Sequence, residues 1–143
     1  MKRAFLDASV LFSGIHSPTG AARELFKWHL RHKIELVVSD YVIQECLKNL
    51  GESYPHRVGA VELLLDFLQA DVAEPSIEEV RIAASYTVLK DAPVVAAAIA
   101  GHCSYLLTFN RKDLIDPPEV GKQSRLIIVT PGDLLRALRE DNS

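Results

Sequence analysis

Four carboxylates and one carboxamide, Asp7, Glu45, Asp91, Asn110 and Asp113, stand far apart in the sequence, each beside an apolar run. Hydrolysis of a phosphodiester needs a deprotonated water and a stabilised leaving oxygen, and two divalent cations about 3.5–4 Å apart supply both. Mg²⁺ or Mn²⁺ takes oxygen ligands, keeps several waters and requires few carboxylates from the protein. Asp and Glu brought together by folding suffice for that chemistry, with Asn contributing an uncharged oxygen.

Each residue also has a simpler reading. Asp7 follows Phe5-Leu6, so its charge leaves an apolar run at a rim where it needs a metal or hydrogen bonds to meet it, and Ser9 is placed to bond it. Glu45 has Val42, Ile43, Cys46 and Leu47 as neighbours; with Tyr41 and Val42 packed inward it falls on or beside the buried stripe. Asp91 precedes Pro93 and is suited to capping a helix and opposing its dipole. Asn110 and Asp113, just beyond Thr108, are typical turn residues. Taken singly these readings compete evenly with a functional one; the set is harder to explain as turns and caps.

The elements that must position them follow from hydrophobic spacing. Residues 2–6 read as a buried first strand ending at Asp7, and a loop holding Ser13, Gly14, Ser17, Pro18 and Gly20 leads to a helix over 21–31. A strand over 34–38, Ser39 as cap and a helix ended by Gly51 come next. Helical spacing returns over 58–68, a short strand is expected over 71–73, and Ser76 with Glu79 forms a capping box for a helix over 77–87. Pro93 opens an all-apolar helix over 94–100, strands follow over 105–108 and 126–129, and Pro131 opens a terminal helix to 139. Strands alternating with helices predict a parallel sheet covered on both faces, an α/β fold in one domain over 1–143. In such sheets ligands collect outside the carboxyl ends of the strands, where most of these polar residues fall.

Composition narrows the alternatives. The chain is 48% hydrophobic and 24% charged, as expected of a globular domain with a real core. Met1-Lys2-Arg3 is basic, but Asp7 breaks the apolar stretch behind it, so neither a secretory leader nor a membrane span is expected and the cytoplasm is the expected compartment. Cys46 and Cys103 are expected to stay reduced. A formal net charge of −3 speaks against a broad basic surface for nucleic acid, and the run Arg23, Lys27, Arg31, His32 and Lys33 reads first as a solvated helix face and loop.

Four segments together resemble the PIN-domain ribonucleases, including the VapC-like toxins of toxin–antitoxin pairs. They are Phe5-Leu6-Asp7-Ala8-Ser9-Val10-Leu11; Val38-Ser39 with Ile43-Gln44-Glu45; Lys90-Asp91-Ala92-Pro93 and its apolar continuation; and Leu107-Thr108-Phe109-Asn110-Arg111-Lys112-Asp113-Leu114. They occur in family order across nearly the whole chain, and their specificity lies in the ordered set. The resemblance implies a three-layer α/β/α sandwich with a mainly parallel sheet, Mg²⁺- or Mn²⁺-dependent cleavage of single-stranded RNA, a homodimer and a cognate antitoxin. It also implies that Asp7, Glu45 and Asp91 hold metal, with Ser9 and Thr108 as polar supports. The departure is Asn110, where many members carry Asp; Asn110 or Asp113 is then the fourth ligand.

Other classes fit less well. A PIN-like module that binds RNA or protein with little or no catalysis is the nearest alternative. A phosphoryl-accepting signalling domain wants a second acid near the first strand end and a Lys ending a late strand, whereas this chain offers Arg3 and Thr108. The two Cys and five His lack paired zinc spacings, and no Gly-x-Ser-x-Gly elbow is present.

Overall fold

The computed structural model describes residues 1–141. Five short strands form one parallel sheet in the order β3-β2-β1-β4-β5: β1 (Arg3–Leu6), β2 (Glu35–Val38), β3 (Asp71–Val72), β4 (Tyr105–Leu107) and β5 (Ile127–Val129). β1 is central because its side chains suit neither face to water: Ala4, Phe5 and Leu6 are fully buried. It pairs Phe5 with Val37 of β2 and with Leu106 of β4.

The chain steps outward from β1 through β2 to β3, then returns across the sheet to β4 and β5. With right-handed crossovers, α1 (Ala8–His16), α2 (Ala21–Leu30), α3 (Asp40–Ser53) and α4 (Val58–Leu68) cover one face. α5 (Ile77–Ala84), α6 (Ala92–Ala100) and α7 (Pro118–Ser124) cover the other, and α8 (Pro131–Asp141) packs on α2. The result is the expected three-layer sandwich, with the strand order reversing between β1 and β4. No helix among the described residues is long and apolar enough to cross a membrane.

Several boundaries differ from the sequence reading. The stretch expected to be loop from Ser13 onward is largely α1, and only residues 17–20 connect it to α2. Val10, Leu11 and Ile15 bury one side of α1, and Gly14 lies so close to the Phe26 ring that a Cβ there would collide with it. Packing thus overrides the turn-forming Ser13 and Gly14. α3 runs two residues past Gly51, closed by Tyr54 N–H donating to the Leu50 carbonyl at 2.6 Å, with the Tyr54 ring stacked on His16 at 4.5 Å. α5 stops at Ala84 rather than 87, α6 begins at Ala92 with Pro93 in its first turn, and α7 had no sequence signal assigned to it.

The amino ends of the strands are electrostatically closed. Arg3 donates to Glu35 at 2.7 Å, to Asp71 at 2.9 Å and to the Gly101 carbonyl at 2.8 Å, so these acids have a cationic partner. The carboxyl ends are built differently.

Candidate functional site

Asp7 follows β1 as the N-cap of α1, and it is only 7% exposed. Its Oδ1 accepts the Ala8 N–H at 2.8 Å, while Oδ2 accepts the Thr108 hydroxyl at 2.7 Å and the Ser9 hydroxyl at 3.4 Å. Thr108 follows β4 and is fully buried; its Oγ1 also accepts the Asn110 N–H at 3.0 Å, and Ser9 Oγ accepts the Phe109 N–H at 3.3 Å. Ser9 and Thr108 therefore fasten the carboxyl ends of the two central strands to one carboxylate.

Asp91 closes a 3-10 turn over Leu89–Asp91 and is likewise 7% exposed. It stands at the N-cap of α6, yet its side chain makes no capping bond. Instead Asp91 Oδ2 accepts from Asn110 Nδ2 at 3.3 Å. Burial pushes its carboxyl up to about 6; Lys90 opposes this, and the charges of Asp7, Asp113 and Glu45 add to it. All four acids therefore act within one electrostatic neighbourhood.

Glu45 departs from expectation. The buried stripe of α3 is Val42, Cys46 and Leu50, one residue every turn, which leaves Glu45 exposed and Tyr41 at the margin, 37% exposed. Neither is packed inward as the sequence suggested. Glu45 still overlooks the same region: burial, then Glu45, Asp91 and Asp7, raises the Tyr41 phenol above its ordinary range.

Asn110 uses both ends of its amide. Oδ1 accepts the Asp113 N–H at 3.2 Å, fixing a wide π turn over Arg111–Ile115, and Nδ2 meets Asp91. Asp113 is half-buried, with Lys90 Nζ 3.7 Å away. Two residues at this end were missed in the sequence: Tyr41, whose hydroxyl donates to the Lys90 carbonyl at 3.0 Å, and Lys90 itself. Tyr41 precedes Glu45 by one helical turn and Lys90 adjoins Asp91, and that spacing was their signal.

Among the described residues no group of three or more His, Cys, Asp or Glu side chains stands close enough together to hold a metal ion. The donors here are separated hard oxygens, which suits a cation that keeps much of its water better than a tetrahedral zinc site. The thiols take no part: burial pushes Cys46 up to about 12 and Cys103 up to about 11, and both are free.

The family model described as PIN domain matches residues 3–112, spanning Asp7, Glu45, Asp91 and Asn110 and stopping just before Asp113. Among solved structures, the chain is similar to VapBC2 from Rickettsia felis bound to a DNA fragment from its promoter, with 14% identity and a TM-score of 0.65 over 88% of this chain and 96% of that one. It is similar to PAE2754 from Pyrobaculum aerophilum at 20% identity, TM-score 0.63, covering 97% and 90%. It is also similar to VapBC-1 from nontypeable Haemophilus influenzae at 16% identity, TM-score 0.61, covering 91% and 98%. Comparison with curated protein sequences finds no match. On the family match, with a fold and strand-end acids in accord, the chain belongs to the PIN domain family.

Proposed function

We propose that the protein is a metal-dependent endoribonuclease acting on single-stranded RNA, the toxin of a toxin–antitoxin pair. The observation that carries this reading is the carboxyl end of the sheet, where Asp7 and Asp91 are buried and Asp113 and Glu45 are within electrostatic reach. Among the described residues Lys90 is the one cation that enters the balance at Asp91, whereas Arg3 pairs directly with two acids at the opposite end. Buried carboxylates held in mutual repulsion suit a divalent cation.

Mg²⁺ or Mn²⁺ held by these residues would supply Lewis acidity and lower the pKa of a coordinated water. The chain's own part is positional. Thr108 and Ser9 hold Asp7 Oδ2 in place, Asn110 steadies Asp91, and Asp7 and Asp91 are assigned as the inner ligands. Because Asn110 Oδ1 is engaged by the turn, we assign the fourth position to Asp113 rather than Asn110. Exposed Glu45 contributes through water at the substrate side.

Two further parts of the proposal concern assembly: an antitoxin partner and a homodimer in the cytoplasm. The VapBC character of two structural neighbours supports the first. Leu63 and Phe67 on α4, 72% and 70% exposed, are apolar surface that a protein partner would cover.

The open arrangement of the acids and the amide at 110 also favour a second reading, a PIN module that binds RNA or protein with weak or no catalysis. One experiment separates them. Purified protein with Mn²⁺ should cleave single-stranded RNA, and Asp7→Asn should remove that activity; absence of cleavage in the wild type, or equal cleavage by Asp7→Asn, favours the binding module.

A further inference from the structure

Beside the acidic site lies a cleft of about 540 Å³ between the turn after α5 and helix α7. Asp113 belongs to both the cleft and the acid cluster, so a group seated in the cleft lies next to the site assigned to the metal. Its volume falls in the range of small-ligand pockets.

The lining has a specific chemistry. Glu119 and Gln123 are four residues apart on α7, so they share one face of the helix, and both line the cleft. Both are exposed, and neither side chain has a hydrogen-bond or ion-pair partner among the described residues. Tyr86, on the turn after α5 across from α7, also lines the cleft. Thr87 also lines the cleft, and its buried Oγ1 has no hydrogen-bond partner, so rotation about χ1 toward a ligand breaks no bond. No Lys or Arg lines the cleft, which disfavours a phosphate inside it. Arg111 and Lys112, exposed on the adjoining turn and without an ion pair among the described residues, supply positive charge outside.

We propose that this cleft is a guanine-reading subsite, in which Glu119 and Gln123 hydrogen-bond the base edge of a nucleotide flanking the scissile phosphate. Single-stranded RNA is read by bases splayed out onto aromatic side chains and bonded along their Watson–Crick edges. A carboxylate only accepts, and an amide both accepts and donates. Guanine alone among the four bases presents two adjacent N–H donors, N1–H and the N2 amino group, for Glu119, followed by the O6 acceptor for the Gln123 amide. Adenine and cytosine set a ring-nitrogen acceptor beside their amino donor, and uracil flanks its single N3–H with two carbonyl oxygens, so in each of them an acceptor would face the Glu119 carboxylate.

This inference deepens the ribonuclease reading and rests on it, so its test is made without metal or cleavage. ¹⁵N-labelled protein in EDTA is titrated with the 5′-monophosphates of guanosine, adenosine, cytidine and uridine. Guanosine monophosphate should shift the amides of Thr87 and of residues 119–123 and bind about tenfold more tightly than the other three, the discrimination of one good bidentate pair. Glu119→Gln should abolish the preference, and Gln123→Ala should reduce it. Shifts confined to other residues, equal affinity for all four nucleotides, or an unchanged preference in Glu119→Gln would overturn the proposal. A wild type that binds guanosine monophosphate here yet cleaves no RNA with Mn²⁺ would support the subsite and sink the nuclease reading instead.

Discussion

At the residue scale, Thr108 joins the two halves of the site, because one hydroxyl donates to Asp7 and accepts from the Asn110 backbone. Thr108→Val keeps the shape and removes both bonds, leaving a buried carboxylate oxygen short of a donor. We expect a loss of about 1–3 kcal/mol in urea unfolding and weaker cleavage, with Thr108→Ser restoring both. Asp91 gives a prediction with a definite sign. Its folded-state carboxyl lies near 6, above the ordinary 3.8, so whatever stability it contributes is present below about pH 4 and is lost as pH rises through 6. In EDTA, Asp91→Asn should therefore be more stable than the wild type at pH 7.5, by about 2 kcal/mol in urea unfolding, and lose that advantage at pH 3.5. Mn²⁺ should narrow the gap at high pH by stabilising only the wild type. The positions of the acids at 7 and 91 were legible in the sequence, Asp7 because it stops an apolar run and Asp91 because it precedes Pro93 at a helix start. The exposure of Glu45 was not, since the phase of α3 is set by Val42, Cys46 and Leu50 and Tyr41 sits at its edge. Nor could spacing reveal that the Asn110 amide spans both Asp91 and the turn at Asp113.

At the scale of elements, the strands and most helices follow from periodicity and caps: Ser39 caps α3, Ser76 and Glu79 form the capping box of α5, and the all-apolar α6 is buried as expected. The misses are elements whose local signals oppose their packing. α1 carries Ser9, Ser13 and Gly14 in nine residues and is held as a helix by its buried side against α2. Propensity alone says that Gly14→Ala should stabilise α1 by about 1 kcal/mol. The structure says the reverse, because the added methyl meets the Phe26 ring in the core. We expect a net loss of about 1–3 kcal/mol by thermal unfolding. A stabilised Gly14→Ala would mean that α1 and α2 are packed differently. α7 is seven residues long, with Gly121 inside it and only Val120 and Ser124 buried, too little apolar pattern to announce a helix.

At the scale of the molecule, the strand order explains why residues 84 and more positions apart meet: the reversal between β1 and β4 brings Asp7 beside Thr108, and the crossover from β3 delivers Asp91 to the same end. The alternation of strands and helices made this architecture readable, and the family match over residues 3–112 agrees with it. Assembly lies outside one chain's periodicity. If the proposed homodimer forms, light scattering should return twice the 15.9 kDa chain mass, and Phe67→Glu should not lower it if α4 instead serves an antitoxin. A mass of one chain at all concentrations would contradict the dimer.

The most direct test of the whole account is Mn²⁺ binding followed by electron paramagnetic resonance at neutral pH. Wild-type protein should take up Mn²⁺, Asp7→Asn and Asp91→Asn should each bind it at least about tenfold more weakly, and Glu62→Gln on the surface of α4 should bind as the wild type does. Equal Mn²⁺ uptake by all four proteins would show that the acids at the strand ends do not hold the metal, and the nuclease assignment would fall with them.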